Sequence, residues 1–234
     1  MFSNTTGLQN TATGSQAMFS NTSGIYNTAF GVEALFSNIN GEQNTAVGWK
    51  AMYSNTSGTF NTANGVFALR LNTTGYHNSA SGHLSMSLNT TGSNNVASGS
   101  RSLYSNTVGS KNTATGYLAL TNNQSGSNNT AAGSESLHNN LTGHSNIAVG
   151  AKALYLNTDR SNLLAIGDST LYYNGLGASA ANHATENIAI GSKSMYNNTT
   201  GYYNTSIGYL SMYSNTEGQS NTSIGNTALR FNTS

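Results

Sequence analysis

Large apolar side chains recur along this chain at a spacing of 17 residues, interrupted once by a spacing of 24. Each is a Leu or a Met, from Met18 to Leu229, and an Ala stands six residues before it, replaced by Ser only at Ser206 and Ser223. Asn, Thr, Ser and Gly fill most of the remaining positions. Segments between the glycines are shorter than the roughly 10 residues that a stable helix needs, so the pattern favours short strands separated by turns.

The repeat fills the chain. Twelve units have 17 residues, the unit beginning at Asn174 has 24, and the consensus is N-T-[TS]-G-x-x-N-T-A-x-G-x-x-[AS]-[LM]-[YF]-S, whose places are called positions 1 to 17 below. The sequence therefore predicts a single repeat domain over 1–234, with 13 rungs from Asn4 to Phe231 and a loop insertion around 178–186. Because the repeat is in phase at both ends, we expect a segment of a longer fibre, or ends that are sealed by neighbouring chains. The 13 units begin at Asn4, Asn21, Asn38, Asn55, Asn72, Asn89, Asn106, Asn123, Asn140, Asn157, Asn174, Asn198 and Asn215.

Each invariant position suggests a physical role. Gly is constant at position 11 and is replaced at position 4 only by Arg160, which predicts two turns that need positive φ or close backbone approach. Asn is constant at position 1 and is replaced at position 7 only by Leu163, which predicts hydrogen-bonded amide ladders. Thr at position 8 favours a strand. The fold predicted is an all-β β-solenoid or β-roll, with two short strands in each rung that pair with their copies in the next rung.

The predicted core is thin, because each rung supplies one Ala or Ser and one Leu or Met. Aromatic residues at position 16 add a second apolar column, and we expect the two columns to need a partner surface. Several chains side by side, most economically a homotrimer, would provide it. The aromatic residues are Phe19, Phe36, Tyr53, Tyr104, Tyr155, Tyr172, Tyr196 and Tyr213.

Charge is scarce and balanced. Charged residues make up 6% of the chain and the net charge is +1, so no broad field would recruit nucleic acid. No apolar run approaches the length of a membrane span, so direct membrane insertion is not expected. No stretch resembles an export signal, which we expect to lie outside this sequence.

Short motifs resemble known repeats. The segments NIAVG (146–150), NIAIG (187–191) and NTSIG (204–208 and 221–225) resemble the head repeats of YadA-like trimeric autotransporter adhesins. The longer NTTGxxNTAxGxxAL pattern is similar to repeats of phage tail-fibre and surface fibre proteins, and the resemblance spans essentially the whole chain. It implies a trimeric, left-handed β-roll that projects from a cell or virion surface into the extracellular space. The unit here is longer than that of YadA-like heads, which implies longer loops or a wider cross-section.

The stretch 157–187 is the one serious irregularity of the repeat, and it alone could bring two carboxylates together. An insertion in a solenoid forms a loop that often carries a binding site. Exposed Tyr side chains could add contacts to sugars or proteins. Two interpretations stay open: a contact with a surface glycan or receptor protein, or a tolerated loop in which an Asp–Arg pair fixes a variant turn. The candidate contact residues are Asp159, Arg160, Asp168, His183, Glu186, Tyr202 and Tyr203.

Catalytic and metal-binding patterns are missing from the sequence. The five His do not share one position of the repeat, and two Asp are too few for a calcium-binding β-roll. No phosphate-binding loop or nucleophile motif occurs in a suitable context. We therefore expect a non-enzyme without a cofactor or metal, a structural and adhesive fibre segment. The alternatives are a self-assembling extracellular filament, with a homopolymer as its partner, and an ice-binding β-solenoid, suggested by Thr at positions 2, 3 and 8.

Overall fold

The computed structural model describes residues 2–234 and confirms an all-β β-solenoid built from 17-residue rungs. Each rung contributes a single strand of three residues, at positions 8 to 10, and turns form the rest. The predicted second strand of each rung is therefore wrong. Positions 12 to 17, which include the Leu or Met, form a series of turns instead.

The chain divides between Asn112 and Thr113 into two compact units. Within each unit, neighbouring strands pair in parallel and in register, so that Thr11 lies beside Thr28 and Leu164 beside Ile188. The first unit contains β1 Thr11–Thr13, β2 Thr28–Phe30, β3 Thr45–Val47, β4 Thr62–Asn64, β5 Ser79–Ser81 and β6 Val96–Ser98. The second contains β7 Thr113–Thr115, β8 Thr130–Ala132, β9 Ile147–Val149, β10 Leu164–Ile166, β11 Ile188–Ile190, β12 Thr205–Ile207 and β13 Thr222–Ile224.

The core of each rung combines the middle residue of the strand with the Leu or Met at position 15. From Met18 to Met212 the position-15 side chain is fully buried within the chain itself. The Leu/Met column therefore offers no surface to a second chain, contrary to the expectation from the sequence. The homotrimer stays a prediction, which now depends on the aromatic column.

Three residues in each regular rung adopt the left-handed backbone conformation, at positions 6, 13 and 15. The Leu or Met at position 15 has φ between 47° and 54° in every rung. Few non-glycine residues take this conformation, so the fold has to stabilise it from outside the residue. Hydrogen bonds between rungs do so: Leu35 N–H donates to the Ala51 carbonyl (3.0 Å) and Glu33 N–H to the Ser15 carbonyl (2.9 Å).

The two conserved glycines serve different purposes. Gly48, at position 11, has φ +129°, and an added Cβ would lie 2.6 Å from the Gly65 oxygen of the next rung. Gly58, at position 4, has no such torsion, but its Cβ would collide with the Asn55 side chain and the Gly75 oxygen. Position 11 thus needs Gly both for its positive φ and because the backbone of the next rung lies so close. Position 4 needs Gly only because neighbouring atoms leave no room for a Cβ.

Two columns of Asn side chains connect the rungs, which confirms the predicted ladders. At position 1, the Asn38 Nδ2 donates to Asn21 Oδ1 of the previous rung (2.8 Å) and to the Gly41 carbonyl of its own turn (3.0 Å). At position 7, Asn44 Oδ1 accepts the Asn61 backbone N–H of the next rung (3.0 Å). These Asn side chains are buried. They satisfy backbone groups that the turns would otherwise leave without partners.

Candidate functional site

The insertion loop leaves the regular path at Asn174 and rejoins it at Ala184. The Asn174 Nδ2 donates to the Ala184 carbonyl (2.9 Å), the bond that a position-1 Asn makes to the position-4 carbonyl in regular rungs. The extra residues therefore lie between Asn174 and Ala184, slightly earlier than the predicted 178–186. The adjacent irregular rung keeps the same bond, since the Asn157 Nδ2 donates to the Arg160 carbonyl (3.0 Å).

Arg160 holds this loop in place. Its guanidinium donates to the Ala180 carbonyl (2.9 Å) through Nη1 and to the Ala178 carbonyl (2.8 Å) through Nη2, and the residue is only 8% exposed. Its Nε lies 3.1 Å from Asp159 Oδ1 in an ion pair. Gly175 leaves the space for this side chain, because an added Cβ would lie 2.9 Å from Arg160 Cγ. Two carbonyls of the loop are thus hydrogen-bonded to a buried cation, which stabilises this conformation of the loop.

A surface groove opens beside the loop, and three of the predicted contact residues line it: Asp159, Glu186 and Tyr203. The Tyr203 side chain is 52% exposed, so its ring is available to a ligand. An aromatic face beside carboxylate and amide groups is suited to a polyhydroxylated ligand, because the ring packs on C–H groups while the polar groups bind hydroxyls. The other polar residues lining the groove are His144, Ser161, Asn162, Asn182 and Thr185.

The remaining predicted residues take other places. The His183 ring is parallel to that of Tyr202 at 6.4 Å, and Tyr202 contacts Tyr203 edge to face at 5.1 Å, so this pair supports the exposed Tyr203 ring. Asp168 is exposed beyond the end of β10 and does not line the groove. Arg160 bonds to the loop carbonyls and does not line the groove.

Sequence reasoning missed His144, Ser161 and Asn162. They occupy positions 5 and 6 of their rungs, the same positions as Tyr202 and Tyr203. The His144 backbone N–H donates to Ser161 Oγ (3.0 Å), so the two residues are neighbours across consecutive rungs. A search along the position-5 and position-6 columns, from one rung to the next, would have found them.

The aromatic residues at position 16 stack in columns on the surface. In the second unit, successive rings of Tyr155, Tyr172, Tyr196 and Tyr213 lie 5.1 to 5.3 Å apart. The aromatic column predicted for position 16 is therefore present in this unit, with its rings stacked on one another. Burial raises the pKa of Tyr172 and of Tyr196 above the ordinary value of 10.0, and the neighbouring tyrosines raise both further.

This stack predicts a loss of stability at alkaline pH. Because the pKa is raised in the folded state, the unfolded chain releases these protons at a lower pH than the folded chain does. The contribution of the two tyrosines to the free energy of unfolding is therefore fully present below about pH 10 and is lost as pH rises through the folded pKa. We expect the urea midpoint of the wild type to fall between about pH 8 and about pH 11 by more than that of the double variant Tyr172→Phe/Tyr196→Phe. Equal shifts in the two proteins would contradict the assignment.

Comparison of the chain with models of protein families, with curated proteins and with solved structures gives no match. Across residues 2–234, no three His, Asp or Glu side chains come together as a possible metal site. The same residues include no helix of sufficient length and apolar character to cross a membrane.

Proposed function

We propose that this chain is a structural, adhesive segment of an extracellular fibre, which projects from a cell or virion and attaches to a surface glycan. One observation carries the proposal: the rung with extra residues builds a loop, hydrogen-bonded to Arg160, beside a groove that contains an exposed Tyr ring, two carboxylates and several amides and hydroxyls. Such a combination recognises a ligand with many hydroxyl groups and requires no catalytic step.

The regular rungs support this function mechanically. Backbone hydrogen bonds and Asn ladders connect each rung to the next within each unit, so the groove is presented on a stiff scaffold. Rigid presentation favours binding because little conformational entropy is lost when the ligand docks. The half-buried aromatic columns are the surfaces through which we propose that copies of the chain associate, as in the trimers that the motifs resemble.

The Tyr203 ring tests the proposal directly. We expect the wild-type protein to bind oligosaccharides on a glycan array, and Tyr203→Ala to bind the strongest of them about tenfold more weakly, because a stacked ring contributes on the order of 1 kcal/mol or more. Calorimetric titration of that oligosaccharide would give the affinities.

Tyr26→Ala is a matched control. Tyr26 occupies the same position of its rung as Tyr203, and its side chain is 53% exposed against 52%. The loss of a solvent-exposed Tyr is thus equal in the two variants, and only the groove differs. A wild type that binds no glycan, or a Tyr26→Ala variant that is as weak as Tyr203→Ala, would refute the groove as the attachment site.

A further inference from the structure

The outward face of the sheet in the first unit consists of hydroxyl and β-branched residues except at Phe30 and Asn64. In each of β1 to β6 the middle residue points inward and the two flanking residues point outward. Six strands thus place 12 residues on this face, none of them charged, and only Phe30, Val47, Asn64 and Val96 lack a hydroxyl. The eight hydroxyl residues are Thr11, Thr13, Thr28, Thr45, Thr62, Ser79, Ser81 and Ser98.

The positions of these residues form a grid of two columns, in which hydroxyls fill the position-8 column from Thr11 to Ser79 and half of the position-10 column. Because the strands pair in register, position-8 residues align in one column and position-10 residues in a second. Rungs of a parallel sheet are about 4.8 Å apart, and alternate residues on a strand are about 6.7 Å apart. The β-branched Thr side chains have few χ1 rotamers, which restricts where their methyl and hydroxyl groups lie.

The hydroxyls of this face are available to solvent, whereas those of another Thr column are not. At position 2, the Thr22 hydroxyl donates to the Ile39 carbonyl (3.0 Å) and the Thr56 hydroxyl to the Thr73 carbonyl (3.1 Å). Within the described part of the chain, the outward Thr and Ser side chains of β1 to β6 make no hydrogen bond to the protein. The position-2 column, which the sequence also offered for ice binding, is therefore used internally.

We propose that the outward face of β1 to β6 binds the surface of an ice crystal. The ligand is an ordered lattice of water, which the position-8 column faces with a row of hydroxyl residues about 4.8 Å apart. Free hydroxyls can replace lattice water as donors and acceptors, and the methyl groups between them contact the water cages. A charge on this face would orient nearby water around itself and break the lattice, so the uncharged composition suits this ligand. The face is rigid, so docking costs little entropy.

A charge placed in the grid tests the proposal. We expect the full-length wild type to show thermal hysteresis and to partition into slowly growing ice, and Thr62→Lys to lose most of both activities. Ser57→Lys is the matched control, because Ser57 is an exposed residue of the same rung that lies outside the strand. It introduces the same charge and should keep wild-type activity. Circular dichroism would verify the fold of each variant, and Thr28→Lys, two rungs away, replaces Thr62→Lys if that variant does not fold.

Two results would overturn the proposal. One is a wild type that neither depresses the freezing point below the melting point nor partitions into ice. The other is an equal loss of activity in Ser57→Lys and Thr62→Lys, which would assign the effect to net charge rather than to this face. Neither measurement depends on the groove at the insertion loop, so glycan attachment and ice binding can fail independently.

Discussion

Gly48→Ala is expected to lower the free energy of unfolding by more than about 4 kcal/mol or to prevent folding, because two separate penalties combine. The φ of +129° is unfavourable for any residue with a Cβ, and such strain costs about 1–3 kcal/mol. The new Cβ would also lie 2.6 Å from the oxygen and 2.7 Å from the carbonyl carbon of Gly65. Both of these atoms belong to backbone, so the rungs would have to separate and lose their hydrogen bonds.

Gly225→Ala separates the two penalties. Gly225 has nearly the same torsion, φ +132°, but the nearest atom to its added Cβ is Ala228 Cβ at 3.7 Å. This variant should therefore show only the cost of the torsion. Urea unfolding followed by circular dichroism would measure both free energies. If the two variants were destabilised equally, close approach between rungs would not be the reason for Gly at position 11.

Asn72→Ala is expected to cost about 2–5 kcal/mol, because one side chain makes three buried hydrogen bonds, each worth about 0.5–1.5 kcal/mol, and its removal leaves polar groups without partners. The Asn72 Nδ2 donates to Asn55 Oδ1 (2.8 Å) and to the Gly75 carbonyl (3.0 Å). Its Oδ1 accepts from the Asn89 Nδ2 (2.8 Å). The loss of Asn72 therefore interrupts the ladder in both directions.

Asn40→Ala is the control for this variant. Asn40 is an exposed Asn that, like Asn72, lies in the first of the two compact units. Its side chain makes no hydrogen bond within the described residues. Its replacement should change the free energy of unfolding by less than about 0.5 kcal/mol. Thermal melts of the two variants would show the difference. A similar small effect for Asn72→Ala would mean that the ladder contributes little to stability.

The sequence predicts the glycine and asparagine positions well because each recurs with one residue type. Gly48 and its equivalents have positive φ, and Asn38 and Asn44 belong to ladders, as expected. No residue type recurs in a way that would have excluded the second strand that the sequence predicted for each rung. Segments such as KAMYS contain no Gly, and nothing in Lys50 or Met52 indicates that both have φ above 50°. Hydrogen bonds to the neighbouring rungs select that conformation, and a single repeat does not reveal them.

The candidate site was likewise predictable only in part. The irregular repeat was enough to predict the loop, and Asp159, Glu186 and Tyr203 do line one groove. Asp168 was grouped with them because it is close in sequence, but β10 separates it from the groove. The role of Arg160 depends on three loop carbonyls and a carboxylate whose positions follow from the folded loop. Residues that approach each other across rungs, such as His144 and Ser161, are 17 apart in the chain and easily overlooked.

The left-handed backbone at position 15 explains the narrow composition of the core. A β-branched side chain is strained when φ is positive, so Ile and Val are disfavoured there. Among the described non-glycine residues with positive φ, only Thr227 is β-branched. All 13 rungs carry Leu or Met at this position, although Ile and Val are frequent on the outward strand face. Torsion angle, more than volume or hydrophobicity, thus restricts which substitutions the repeat can accumulate in its interior as the units diverge.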